Sequence, residues 1–124
     1  MSLLSITVAA MGLGRIAIGA APFVAAAKTS RMLGFPAAHD TATARLMARF
    51  FGVRDIGLGV LAFYAAAHPE LAPVMALFQA TMDGGDLVSI AMSRGKGIDR
   101  AALLSAAFAA TGMLAWLIVW AVSR

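Results

Sequence analysis

Four long apolar stretches, at about residues 3–27, 46–67, 71–93 and 101–122, take up most of this 124-residue chain. Each can cross a hydrocarbon core of ~30 Å as a helix, which takes about 20 residues. Lipid offers no partner to backbone N–H and C=O groups, so a spanning segment has to satisfy them itself. Four segments cannot close a barrel, which leaves helices. The chain is therefore expected to be all-α: one transmembrane domain over residues 1–124, folded as a four-helix bundle with antiparallel up-down connections. Hydrophobic residues make up 61% and charged residues 13%, against roughly 25% charged in soluble domains. A soluble fold this small could not hide so much apolar surface. A soluble Ala-rich bundle would also need regular polar stripes, which these stretches lack.

Local signals set the expected ends. Lys28, Thr29 and Ser30 end the first span, and Gly34-Phe35-Pro36 forms a turn because Pro36 disfavours helix at Phe35. Asp40 or Thr41 is placed to cap the second helix, which begins in water before entering the membrane near Leu46. Pro69 and Glu70 suit the first turn of the third helix, where no N–H is needed and the helix dipole is positive. Gly95 and Gly97 end that helix, and Asp99 is placed to cap the fourth. Ala25-Ala26-Ala27 resembles a signal-peptide cleavage site. No basic residue precedes the apolar run, however, and Arg15 interrupts it, so the segment is expected to remain as a span.

The loops set an orientation. One long loop carries Lys28, Arg31 and Arg45, with Arg49 just inside the next helix, and the other carries Arg94, Lys96 and Arg100. The opposite side has Arg124 and the acidic Glu70. The positive-inside rule puts both basic loops in the cytoplasm and both termini outside. The net charge of +4 is therefore a membrane-topology signal rather than a nucleic-acid footprint. The expected partner is the lipid bilayer, and no nucleic acid. Trp116 and Trp120, one turn apart, are expected at the outer interface as aromatic anchors.

Five ionisable residues interrupt the spans: Arg15, Arg54, Asp55, Asp83 and Asp86. Charge in a bilayer is costly, so such residues face one another, water or a ligand. Helix rise puts them at similar depth, with Asp86 about a turn nearer the cytoplasm. Ala48, Gly52, Asp55, Gly59 and Ala62 share one face of the second span, as Gly12, Arg15 and Gly19 do on the first. Gly12, Gly19, Gly52 and Gly59 are the expected helix-packing positions, since small residues let helices approach closely. Gln79, Asp83 and Asp86 form a polar stripe on the third span, with Gly84-Gly85 inside it as a place for a kink or tight packing. Arg15 is expected to pair with Asp83 or Asp55. Two Arg against three Asp leave a formal charge of −1, and Asp83 is the acid expected to carry the extra proton. Gly12, Ile16, Gly19 and Phe23 also match Gly52, Ile56, Gly59 and Phe63 at an offset of 40, which aligns Arg15 with Asp55. In a chain this rich in Ala and Gly the match weighs little alone, and inverted transporter repeats normally involve several spans each.

Other chemistry has weaker support. Cys is absent, so there is no disulfide, thiol nucleophile or Cys-based zinc site. His39 and His68 fall in loops on opposite sides. Asp55, Gln79, Asp83 and Asp86 offer oxygens to a divalent cation, but Arg15 and Arg54 beside them would repel it. Ser5, Ser89, Ser105 and Thr111 have no nearby His base. No metal, cofactor or catalytic residue is expected.

The segments Gly14-Arg15-Ile16-Ala17-Ile18-Gly19 and Gly52-Val53-Arg54-Asp55-Ile56-Gly57-Leu58-Gly59, followed by Asp83 and Asp86, resemble small four-span bacterial membrane proteins of unknown function, of the type common in actinobacteria. The resemblance implies a four-helix domain in the bacterial inner membrane and no particular activity. The expected role is that of a non-enzymatic subunit or assembly factor, in a homo-oligomer or a larger membrane complex. The alternative is a proton-linked carrier or binding protein for a small polar or amphipathic ligand. An enzyme acting on lipid-like substrates comes third.

Overall fold

The computed structural model describes residues 1–124. It has five α-helices and no strand: α1 (Leu3–Val24), α2 (Ala26–Met32), α3 (Ala42–Ala67), α4 (Ala72–Met92) and α5 (Asp99–Ser123). Two single 3₁₀ turns, Ala37–His39 and Pro69–Leu71, lie in the connections. α1, α3 and α5 are long and apolar enough to cross a membrane. α4 has 21 residues but carries Gln79, Asp83 and Asp86.

Several helix ends differ from the sequence expectation. The backbone leaves the helix at Ala25 (φ −138°, ψ 59°), so Lys28, Thr29 and Ser30 lie inside α2 instead of ending the first span. Pro22 lies inside α1, and its missing N–H leaves the Ile18 carbonyl, a turn earlier, without a helical partner. At the start of α3 the cap is Thr41, whose Oγ1 accepts the Ala44 N–H at 3.1 Å. Asp40 instead takes Arg45 bidentately, at 2.8 Å to each oxygen, and that guanidinium holds the Asp40 carboxyl below its ordinary value. Pro69 and Glu70 form the 3₁₀ turn that precedes α4. α4 continues as one helix through Gly84-Gly85. Gly95 and Gly97 do close the loop after it, both at positive φ where glycine is unstrained. Asp99 is the first residue of α5, and its carboxylate accepts the Gly95 N–H at 2.8 Å. It closes the loop and does not cap the helix.

α1 packs antiparallel along α3 on a stripe of Gly12, Arg15 and Gly19 against Gly52, Asp55 and Gly59. The backbones nearly touch. A Cβ on Gly59 would stand 2.6 Å from the Gly12 carbonyl oxygen, and one on Gly12 would stand 2.8 Å from that of Gly59. Gly19 and Gly52 meet in the same reciprocal way. The offset of 40 now has a structural meaning. Gly59 faces Ile16 as Gly19 faces Ile56, and Gly52 faces Phe23 as Gly12 faces Phe63. The matched residues are thus related by a local two-fold axis across the α1–α3 seam, and Arg15 and Asp55 sit at its centre.

α4 packs chiefly on α5. All four long helices meet in one apolar cluster near the Pro69 turn: Val8 from α1; Ala62, Ala65 and Ala66 from α3; Met75, Ala76 and Ala80 from α4; and Trp116 and Val119 from α5. Trp116 is only 2% exposed. It is a core residue and not the interfacial anchor expected from its spacing, because α5 turns that face inward against α1 and α4. Trp120 stays partly exposed, with the Arg124 guanidinium 4.3 Å from its ring centre.

Candidate functional site

The ionic cluster lies between this apolar core and the two basic loops. α1 supplies Arg15, α3 supplies Arg54 and Asp55, and α4 supplies Asp83 and Asp86. The buried face of α1 recurs at Ser5, Val8, Gly12, Arg15, Gly19 and Pro22, so helical period alone points Arg15 inward. Its small neighbours bring the α3 backbone close enough for Asp55 to meet it.

Arg15 forms a two-armed pair with Asp83, Nη2 to Oδ1 at 2.6 Å and Nη1 to Oδ2 at 3.1 Å. Arg54 does the same with Asp86, at 2.7 Å on each arm. Parallel guanidinium–carboxylate bonds of this kind are the strongest side-chain hydrogen bonds available. Asp55 lies between the two pairs. Its Oδ1 accepts from Arg15 Nη2 at 3.5 Å and from Arg54 Nη2 at 3.4 Å. The five residues thus form one chain, Asp83–Arg15–Asp55–Arg54–Asp86, which ties α1, α3 and α4 together.

Burial falls along that chain. Arg15, Asp55 and Asp83 are buried, whereas the side chains of Arg54 and Asp86 are 30% and 24% exposed. Arg54 also lies 4.8 Å from the centre of the Phe51 ring, which covers it with a polarisable face. The Nε atoms of both arginines are buried without a hydrogen-bond partner.

The odd carboxylate is not the one expected. The sequence points to Asp83, but both of its oxygens are held by Arg15. Asp55, with one shared oxygen at longer distance, takes that place. Gln79 also departs from the polar stripe. It makes no bond to the ion chain; its Nε2 donates to the Leu58 carbonyl at 2.6 Å, fully buried, and ties α4 to the α3 backbone. Its Oε1 is buried without a partner.

Gly112 of α5 was not anticipated. A Cβ there would stand 2.6 Å from Asp83 Oδ2, so its hydrogen-only side chain makes room for the carboxylate. The available signal was a glycine in mid-helix, which costs about 0.5–1 kcal/mol relative to Ala and so calls for a packing reason. The histidines lie away from the cluster. His68 stacks on Tyr64 with centroids 4.1 Å apart, and His39 sits in the first basic loop.

A family model described as a domain of unknown function, DUF4267, matches residues 12–122, a stretch that includes every residue of the ion chain. No curated protein and no solved structure matches the chain.

Proposed function

The chain belongs to the DUF4267 family, a domain of unknown function, and we propose that it is a four-span protein of the bacterial inner membrane acting as a non-enzymatic subunit or assembly factor. α4 is the fourth span in this reading. Its 21 residues extend about 32 Å as helix, and the acids that lower its hydropathy are neutralised by arginines from its neighbours. The two basic loops face the cytoplasm and the termini lie outside. Exposed apolar residues such as Leu13, Ile18, Phe50, Val60 and Phe63 then face lipid or a neighbouring chain.

The observation that carries the role is the saturation of Asp83 and Asp86. A carboxylate with both oxygens held by a guanidinium fixes helices in place and has little capacity left for a substrate. Purification in a mild detergent followed by native mass spectrometry tests it. The chain is expected in a stable assembly with copies of itself or other proteins, retained when Arg54 and Asp86 are replaced together by Met and Leu. A bare monomer that requires Asp86 to hold a small molecule contradicts it.

One observation favours a second reading. Asp55 leaves the cluster with a formal charge of −1, which a proton-linked carrier can use. In that case Asp55→Asn abolishes a pH-dependent flux and leaves the fold intact.

A further inference from the structure

A second constellation lies where α1 breaks. Around Ala25 the end of α1, the start of α2 and the first two turns of α3 enclose an open cleft of about 310 Å³. Lys28 and Arg31 reach it from α2, and Arg45 and Arg49 from α3. Four cations from two separate segments therefore converge on one concave surface. The only carboxylate paired with any of them is Asp40, which Arg45 already occupies on both oxygens. Lys28, Arg31 and Arg49 make no ion pair. Arg49 is held in position by a bond from its Nε to the Phe23 carbonyl at 3.4 Å, one of the last carbonyls of α1, which the helix itself leaves without a partner.

Unpaired cations converging on a cleft call for an anion, and the apolar neighbours say which kind. Val24 lines the same cleft. Phe23 and Val24 are exposed at the adjoining end of α1. A basic floor bordered by an exposed apolar wall, at the end of two long apolar helices, matches a phosphate joined to acyl chains.

We propose that this cleft binds the phosphate of an anionic phospholipid, with Lys28, Arg31 and Arg49 on the headgroup and the Phe23/Val24 side against an acyl chain. The site rests on the membrane reading above, since it places the cleft at the cytoplasmic headgroup level, where basic pockets between spans hold anionic lipids. It is separate from the ion chain and needs none of its residues.

The test uses the full chain, delipidated in detergent and titrated with phosphatidylglycerol or phosphatidylcholine in mixed micelles, read by native mass spectrometry. The wild type is expected to retain phosphatidylglycerol. The Lys28→Gln/Arg31→Gln/Arg49→Gln variant should bind it roughly a hundred-fold more weakly, as three surface-proximal cations imply. The same change at Arg94, Lys96 and Arg100 should leave that affinity within about three-fold, because those residues lie outside the cleft. Melting curves of both variants establish that they are folded. Inorganic phosphate is the control ligand. Displacement of the lipid by millimolar phosphate supports the phosphate site and makes the free anion a ligand too, whereas no displacement assigns the site to the lipid alone. Equal retention of phosphatidylglycerol and phosphatidylcholine, or unchanged affinity in the cleft variant, overturns the proposal. Release of the chain from membranes by alkaline carbonate without detergent would instead overturn the membrane reading, and is scored separately.

Discussion

At the scale of single residues, the ion chain has three carboxylates for two guanidinium groups, and geometry decides which is left over. Asp83 and Asp86 each hold an arginine with both oxygens, whereas Asp55 shares one oxygen at 3.4 and 3.5 Å. Neutralising Asp55 leaves both two-armed pairs and balances the charge. Neutralising Asp83 leaves a buried guanidinium with only the long contact to Asp55. Asp55→Asn is therefore expected to stay within about 1 kcal/mol of the wild type, the net worth of the hydrogen bonds it alters. Asp83→Asn should lose about 3–5 kcal/mol, the cost of breaking a buried pair. Reversible unfolding in detergent compares them, and equal losses would show that Asp55 is as integral as Asp83. The inward placement of all three acids was legible from spacing alone. Which acid was in excess was not, because charge counting treats the carboxylates alike and only side-chain reach separates them.

At the scale of helices, the glycines divide into two sets. Gly12, Gly19, Gly52 and Gly59 hold the α1–α3 seam, and any added Cβ there meets backbone. Gly14 and Gly57 have nothing within 4 Å of such a Cβ. Gly19→Ala and Gly59→Ala are expected to destabilise by about 1–3 kcal/mol through forced separation of the helices. Gly14→Ala and Gly57→Ala should be neutral or stabilise by up to about 1 kcal/mol, through better helix propensity. Thermal melts of the four variants check the division, and uniform effects would mean that the seam is not close-packed. Gly112→Ala belongs with the destabilising set, because its Cβ would displace Asp83. The seam was readable because charge and glycine share a helical period. Gly112 was not, since no charge on α5 between Arg100 and Arg124 shares its period. The break at Ala25 and the burial of Trp116 were missed for a related reason. The backbone turn at Ala25 and the facing of α5 depend on neighbours that one-dimensional spacing does not show.

At the scale of the molecule, the apolar core near the Pro69 turn and the ion chain fasten the helices at two levels, and the proposed orientation puts the basic loops in the cytoplasm. Single cysteines at Ala37 and Gly97 are expected to resist an impermeant thiol reagent in intact cells, while one at His68 should react. The opposite pattern would invert the topology. The ion chain, as a structural clasp, must meet a sharper condition. A clasp tolerates loss of a whole pair better than loss of half of one, because an unpartnered buried charge is costlier than an apolar replacement. The most direct measurement is a double-mutant cycle on Arg15 and Asp83, read by unfolding free energy. Arg15→Met and Asp83→Leu alone should each lose about 3–5 kcal/mol, and the double variant should recover most of that loss and remain folded. Additive losses, or an Arg15→Met protein as stable as the wild type, would contradict the account.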